Sequence, residues 1–283
     1  MIIKKTPSIW GFSHIYAIVL YMETPFSQLF RFAYFPKYEE AIKHLAETLS
    51  DSEPWDYSDS QTQTFAILKN YLEYYFRRLK EEGKVSYFNS NKLVVFNTGL
   101  VTSNQEDIYA FFEAYSGTKK DAAPFFFKAF LKESDPRILT TCGDDLPHPA
   151  NFFEKPELLL LNPKYRITPD IDHIINDNKE RFPNHLKNSD PAELRRQLHG
   201  AIEDVTKKVR TNYKIAIPQY FAGKVQLLLP LCLTAGSPNP DLALVINKIQ
   251  GQEVYSAMTC LTLKMAYGNA RLIVKPQSDW LKP

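Results

Sequence analysis

KVQLLLPLCLTAGSPNPDLALVINKIQGQEVYSAMTC, residues 224–260, decides the fold. Two apolar runs, 224–233 and 241–249, flank a loop rich in Gly, Pro and Asn. Runs of this length between turn residues read as buried strands, too short and too well punctuated for helices. They are expected as neighbouring antiparallel strands of a main sheet. Gly251-Gln252 then separates the second run from EVYSAM, which predicts a further hairpin. Beyond it, LTLKMAYGNARLI changes to helical periodicity, with Leu261, Met265, Ala266, Ala270 and Ile273 on its buried side. The ending VKPQSDWL reads as an extended tail anchored by Trp280.

Working upstream, PAELRRQLHGAIEDVTKKVRTNYK (191–214) places Leu194, Leu198, Ile202, Val205 and Val209 at steps of four, four, three and four, one face of a helix. Gly200 interrupts it at a cost of about 1 kcal/mol relative to Ala, and close approach by a neighbour is the expected reason. ELLLL (157–161) is a strand candidate, and 116–156 is expected to be irregular surface with aromatic anchors. QEDIYAFFEAY (105–115) reads as a helix or helical turn.

The first third opens with a helical pattern in PKYEEAIKHLAETLS (36–50), then the turn-rich DSEPWDYSDS, where Ser58 or Ser60 could cap the next helix. TQTFAILKNYLEYYFRRLKEEG is a clear helix, with Leu68 and Leu72 on its core face and Gly83 as its stop. KVSYF and KLVVF form a hairpin around Asn89-Ser90-Asn91. The order of helices followed by a hairpin is that of a winged helix. The chain is thus expected to be α+β, with a helical or winged-helix-like module at 23–100 packed on a mixed, largely antiparallel sheet domain at 101–283. Residues 1–22 read as an N-terminal extension, such as an extra strand, or as a start placed too early, with Met22 as the alternative. The apolar run inside them is too short to span a membrane.

Composition bounds the function. Apolar residues make up 44% of the 283 and charged residues 23%, with 19 Phe and 16 Tyr, so a folded chain with many large core anchors is expected. A net charge of +2 excludes a global positive field, so any nucleic-acid role needs a local patch. Three separated cysteines, Cys142, Cys232 and Cys260, form neither a CxxC pair nor a disulfide framework, which fits a reducing, cytoplasmic setting. Cys232 and Cys260 lie in apolar runs as small hydrophobes do.

Three polar constellations carry the chemistry. Asp170, Asp172 and His173 open a dense polar stretch. Such groups suit acid–base work, and Asp170 and Asp172 suit a divalent metal such as Mg. The competing role is to cap a helix start. Lys207, Arg210 and Lys214 line one helix face, Lys224 comes soon after, and Tyr213 and Tyr220 interleave, so this face could hold phosphates while the tyrosines stack on bases. Asn97-Thr98-Gly99 comes after a strand, where backbone N–H groups can cradle an anion.

The segments FRFAYFP, EPWDY, LKNYLEYYFRRLKEEGKV, FNTGLVTSNQEDIYAFF, DIDHIINDNKERFP, VRTNYKIAIPQYFAGKVQLLLPLCL and MAYGNARLIVKPQSDWL resemble, in the same order, the bacterial domain-of-unknown-function family DUF3825 over about residues 26–282. Some members of that family occur beside small RNA-binding modules, so the resemblance implies a link to RNA. It brings no assigned roles, though the polar residues around Asn97, Asp170–Arg181, Arg210, Tyr213, Lys214, Gln219 and Arg271 resemble its recurring pattern. The expected function is RNA or nucleotide binding through a basic helix face and an adjoining polar cleft, with single-stranded RNA or a nucleotide as partner. The alternatives are a metal-assisted phosphoesterase or nucleotidyl-processing enzyme using Asp170, Asp172 and His173, and a non-catalytic scaffold.

Overall fold

The computed structural model describes residues 28–57, 64–118, 122–237 and 239–283. The expectations for residues 1–22, and for a cap at Ser58 or Ser60, lie outside the described residues. The fold is α+β, and the chain divides into two compact units. The first comprises residues up to 52 together with 72–150, and the second comprises 53–71 and 151–283. Each has its own five-stranded sheet, where the sequence reading placed one main sheet.

In the first unit, helix α1 (Tyr38–His44) runs into a π-helical turn, Leu45–Leu49. Helix α2 (Ala66–Glu81) contributes its residues from Leu72 onward. Leu68 and Leu72 are buried as expected, and Gly83 ends the helix at φ 67°. Strands β1 (Ala33–Tyr34), β2 (Ser86–Phe88), β3 (Leu93–Val101), β4 (Asp107–Ala114) and β5 (Phe125–Lys132) form a sheet in the order β1-β5-β4-β3-β2. Asn89, Ser90 and Asn91 all take positive φ in the β2–β3 turn, a conformation that Asn tolerates well. The helices and hairpin come in the expected order. β3 then pairs with β4, so the hairpin is the margin of the sheet, and the boundary placed at residue 100 falls inside a strand.

Two sequence expectations need correction here. QEDIYAFFEAY is strand β4, not a helical turn, and the region read as irregular contains strand β5. Ile108 to Phe112 are all buried, so β4 is covered on both faces and shows no alternation from which a period of two could be read.

In the second unit, strands β6 (Arg166–Pro169), β7 (Ile217–Phe221), β8 (Lys224–Leu231), β9 (Leu242–Lys248) and β10 (Val254–Leu261) form a sheet in the order β6-β10-β9-β8-β7. β8 and β9 are antiparallel neighbours, as are β9 and β10, as the sequence predicts. β6 joins the edge in parallel with β10. ELLLL is not a strand: Pro156–Leu158 is a 3-10 turn and Leu160 is exposed.

Helix α3 (Pro136–Cys142) packs in the first unit, while α4 (Ile171–Asp177), α5 (Pro191–Thr211) and α6 (Leu263–Arg271) belong to the second. Asp190 caps α5 by accepting from the N–H groups of Ala192 and Glu193, and Pro191 sits where a missing N–H costs nothing. Leu194, Leu198, Ile202, Val205 and Val209 are all buried against one sheet face, with Leu227, Leu229, Leu244 and Ile246. Each such side chain contributes roughly 1.5–3 kcal/mol relative to exposure. Gly200 corrects an expectation: a Cβ there would meet nothing within 4 Å, so no neighbour requires glycine. Cys260 is fully buried, and burial pushes its thiol up to about 12. Trp280 Nε1 donates to the Ile215 carbonyl at 2.9 Å, anchoring the tail as expected. Among the described residues, no helix is long and apolar enough to cross a membrane.

Candidate functional site

The acidic segment begins where β6 ends. Asp170 accepts from the His173 backbone N–H at 3.0 Å and so caps α4. Asp172 is exposed, and His173 Nδ1 lies 2.6 Å from Asp177 Oδ2. Arg181 donates to Thr259 Oγ1 at 3.0 Å, and that hydroxyl donates to Asn178 Oδ1 at 2.7 Å, which ties the segment to β10. Among the described residues, no group of three or more His, Cys, Asp or Glu is placed to hold a metal ion. Asp170→Ala is expected to cost about 0.5–2 kcal/mol through loss of the cap, while Asp170→Asn, an equally good cap, stays near wild type. Thermal unfolding of both variants checks this; equal losses would show that the carboxylate does more than cap.

The basic face of α5 is partly neutralised. Lys207 Nζ donates to Glu203 at 2.6 Å. Arg210 and Lys214 are exposed, and Tyr213 is 65% exposed. Tyr220 is buried and packs edge-on against Phe152. Lys224 lies opposite Phe221 at the far end of the β7–β8 hairpin from Lys214. Five strand residues, about 16 Å, separate the two ends.

Asn97 belongs to the first unit and is 1% exposed. Its Oδ1 accepts from the Gly99 N–H at 2.8 Å and its Nδ2 donates to Asp107 at 2.9 Å. The motif braces the irregularity between Asn97 and Val101, where Gly99 takes φ 70°. The Gly99 N–H proposed for an anion is therefore used internally. Arg271 is also buried: Nε and Nη2 both donate to Glu53, and the guanidinium lies 5.0 Å from the Trp55 ring and 4.6 Å from the Tyr71 ring.

Gln219 leads to an arrangement that the sequence reading missed. It pairs directly with Gln226 across β7 and β8. The β8–β9 register sets Leu227 on Ile246, and one step further Gln226 Nε2 donates to Asn247 Oδ1 at 2.8 Å. Asn247 pairs with Ser256, and Ser256 with Thr168. One row of amides and hydroxyls thus crosses all five strands, on the face opposite α5. Its β7 end is internal: Gln219 Nε2 donates to Gln226 Oε1 at 2.8 Å, and Asn269 on α6 donates to Gln219 Oε1 at 3.1 Å. Along the row exposure grows, from buried Gln219 through half-buried Gln226, Asn247 and Ser256 to exposed Thr168. Side chains two residues apart on a strand share a face, so Lys224 stands beside Gln226 and Arg166 beside Thr168. Both cations are exposed.

The family model for the Domain of unknown function (DUF3825) matches residues 45–280. The chain belongs to the DUF3825 family. Searches of curated proteins and of solved structures each return no match. The DUF3825 match takes in every residue of the polar row and both flanking cations. In sequence, Gln226 and Asn247 show only as scattered polar residues in the apolar runs of this DUF3825 chain, Asn247 beside Lys248, and Ser256 as a small residue in EVYSAM. That signal marks them singly. Only the strand register aligns them.

Proposed function

We propose that this chain binds single-stranded RNA or a nucleotide on the α6 face of its second sheet. One observation carries the proposal: a hydrogen-bonding row crosses five strands and is bordered, two residues along two of them, by exposed Arg166 and Lys224. Amides and hydroxyls can pair with base edges and ribose, while lysine and arginine take phosphate. On the cation side of the row, the neighbouring positions Phe221, Lys224, Val254 and Arg166 include no carboxylate to repel it.

The strand order favours binding over the phosphoesterase alternative. Asp170 lies just after β6 and Lys214 precedes β7, the two edges of the sheet. Four strand spacings, about 19 Å, lie between those edges, too far for one phosphate to meet both.

The test is fluorescence anisotropy with single-stranded RNA at several salt concentrations. Arg166→Ala/Lys224→Ala is expected to weaken binding and to lower the log–log salt slope by roughly 1.4, two contacts at about 0.7 each. Arg210→Ala/Lys214→Ala serves as the second arm, because that helix end also offers two cations beside an exposed Tyr213. Loss only in the second arm would move the interface to α5. Unchanged affinity and slope in both folded variants would sink the proposal.

A further inference from the structure

We infer, resting on the binding role just proposed, that the ligand is an oligonucleotide lying across the strands and not a mononucleotide. Arg166 and Lys224 begin β6 and β8, which run in the same direction, so both cations stand at one end of the sheet. The order β6-β10-β9-β8 puts three strand spacings between them, about 14 Å. Side chains on a sheet stand roughly perpendicular to it, so the two charges remain apart instead of converging on one phosphate. At roughly 3.4 Å per stacked nucleotide, 14 Å is about four steps of a single strand, and fewer if the strand is extended.

The row lies about 7 Å further along the strands, two residues inward from the cations. There Thr168, Ser256, Asn247 and Gln226 succeed one another at the strand spacing of about 4.8 Å, between the same two limits. Backbone phosphates along the cation margin would therefore leave their bases over a ladder of hydrogen-bonding groups. The buried closure of the row at Gln219 and Asn269 holds the amides in place before any ligand arrives. Preorganised groups of this kind lose little freedom on binding.

The experiment is a competition series against a labelled oligouridylate, using unlabelled UMP and uridylates of two to eight residues. Affinity is expected to climb at least 100-fold from UMP to a length of about four to five and then level off. Removing either cation alone, Arg166→Ala or Lys224→Ala, should flatten that climb and bring the plateau to a shorter length. UMP competing as well as the longer strands would overturn the inference and leave the binding role intact. No binding of any uridylate would remove both. A polyglutamate peptide competing as well as the uridylates would assign the two cations to an acidic protein partner and overturn the inference.

Discussion

Replacing Arg271 with alanine is expected to destabilise the second unit by about 3–5 kcal/mol, the cost of stranding a buried charge. The side chains of Arg271 and Glu53 are 10% and 8% exposed, so neither can turn to water when its partner is lost. The guanidinium also covers the rings of Trp55 and Tyr71, and its removal opens space beside two aromatic faces. Arg271 ties α6 to the segment that carries Glu53 and Trp55, and Tyr57 Oη of the same segment donates to the Lys264 carbonyl of α6 at 3.1 Å. Urea unfolding monitored by tryptophan fluorescence reads the loss, since Trp55 lies against the lost group. A double variant, Glu53→Gln with Arg271→Met, should recover a large part of the stability, because it removes both charges and restores bulk. A loss below about 1 kcal/mol for Arg271→Ala would show that the site is open to solvent in solution.

Phe112→Ala should cost about 3–5 kcal/mol, at the level of other large-to-small changes in cores. Phe112 is fully buried on β4, with the rings of Phe32, Phe35, Phe96 and Phe127 centred 5.4 to 5.8 Å away. The edge-on pairs with Phe32, Phe35 and Phe127 and the stacked pair with Phe96 add attraction beyond buried area. The effect should concentrate in the first unit, where this aromatic core lies. Hydrogen exchange provides the measurement: amides of β3, β4 and β5 should lose protection, while those of β8, β9 and β10 keep most of theirs. Equal loss in both sheets would show that the two units unfold as one.

Much of the fold was legible in the chain itself. Helix α5 could be read because its buried residues recur at helical spacing with Asp190 and Pro191 at its start. The β8–β9 hairpin could be read because its strands are apolar runs on either side of a turn-forming loop. These are local signals, in which each residue is judged against neighbours a few positions away. Strands β4 and β5 escaped for the same reason. Burial on both faces of β4 removes the alternation, and what remains is an apolar run with no period to distinguish strand from helix.

The candidate site divides along the same line. The sequence by itself determined which residues were chemically able: Asp170 to cap or ligate, Lys224 and Arg210 to meet phosphate, Gln219 to hydrogen-bond. Only the tertiary structure decided which of them act together. Asp170 was placed as a helix cap, Arg271 was buried against Glu53, and Lys224 was parted from Lys214 by the length of β7. Gln219, Gln226, Asn247, Ser256 and Thr168 come from five strands, one of them a parallel edge far upstream in the chain. Backbone hydrogen bonds between strands align them, and a slip of one residue in any pairing would turn that side chain to the other face. A single sequence carries the residues of such a row, but the register that assembles it exists only once the strands have paired.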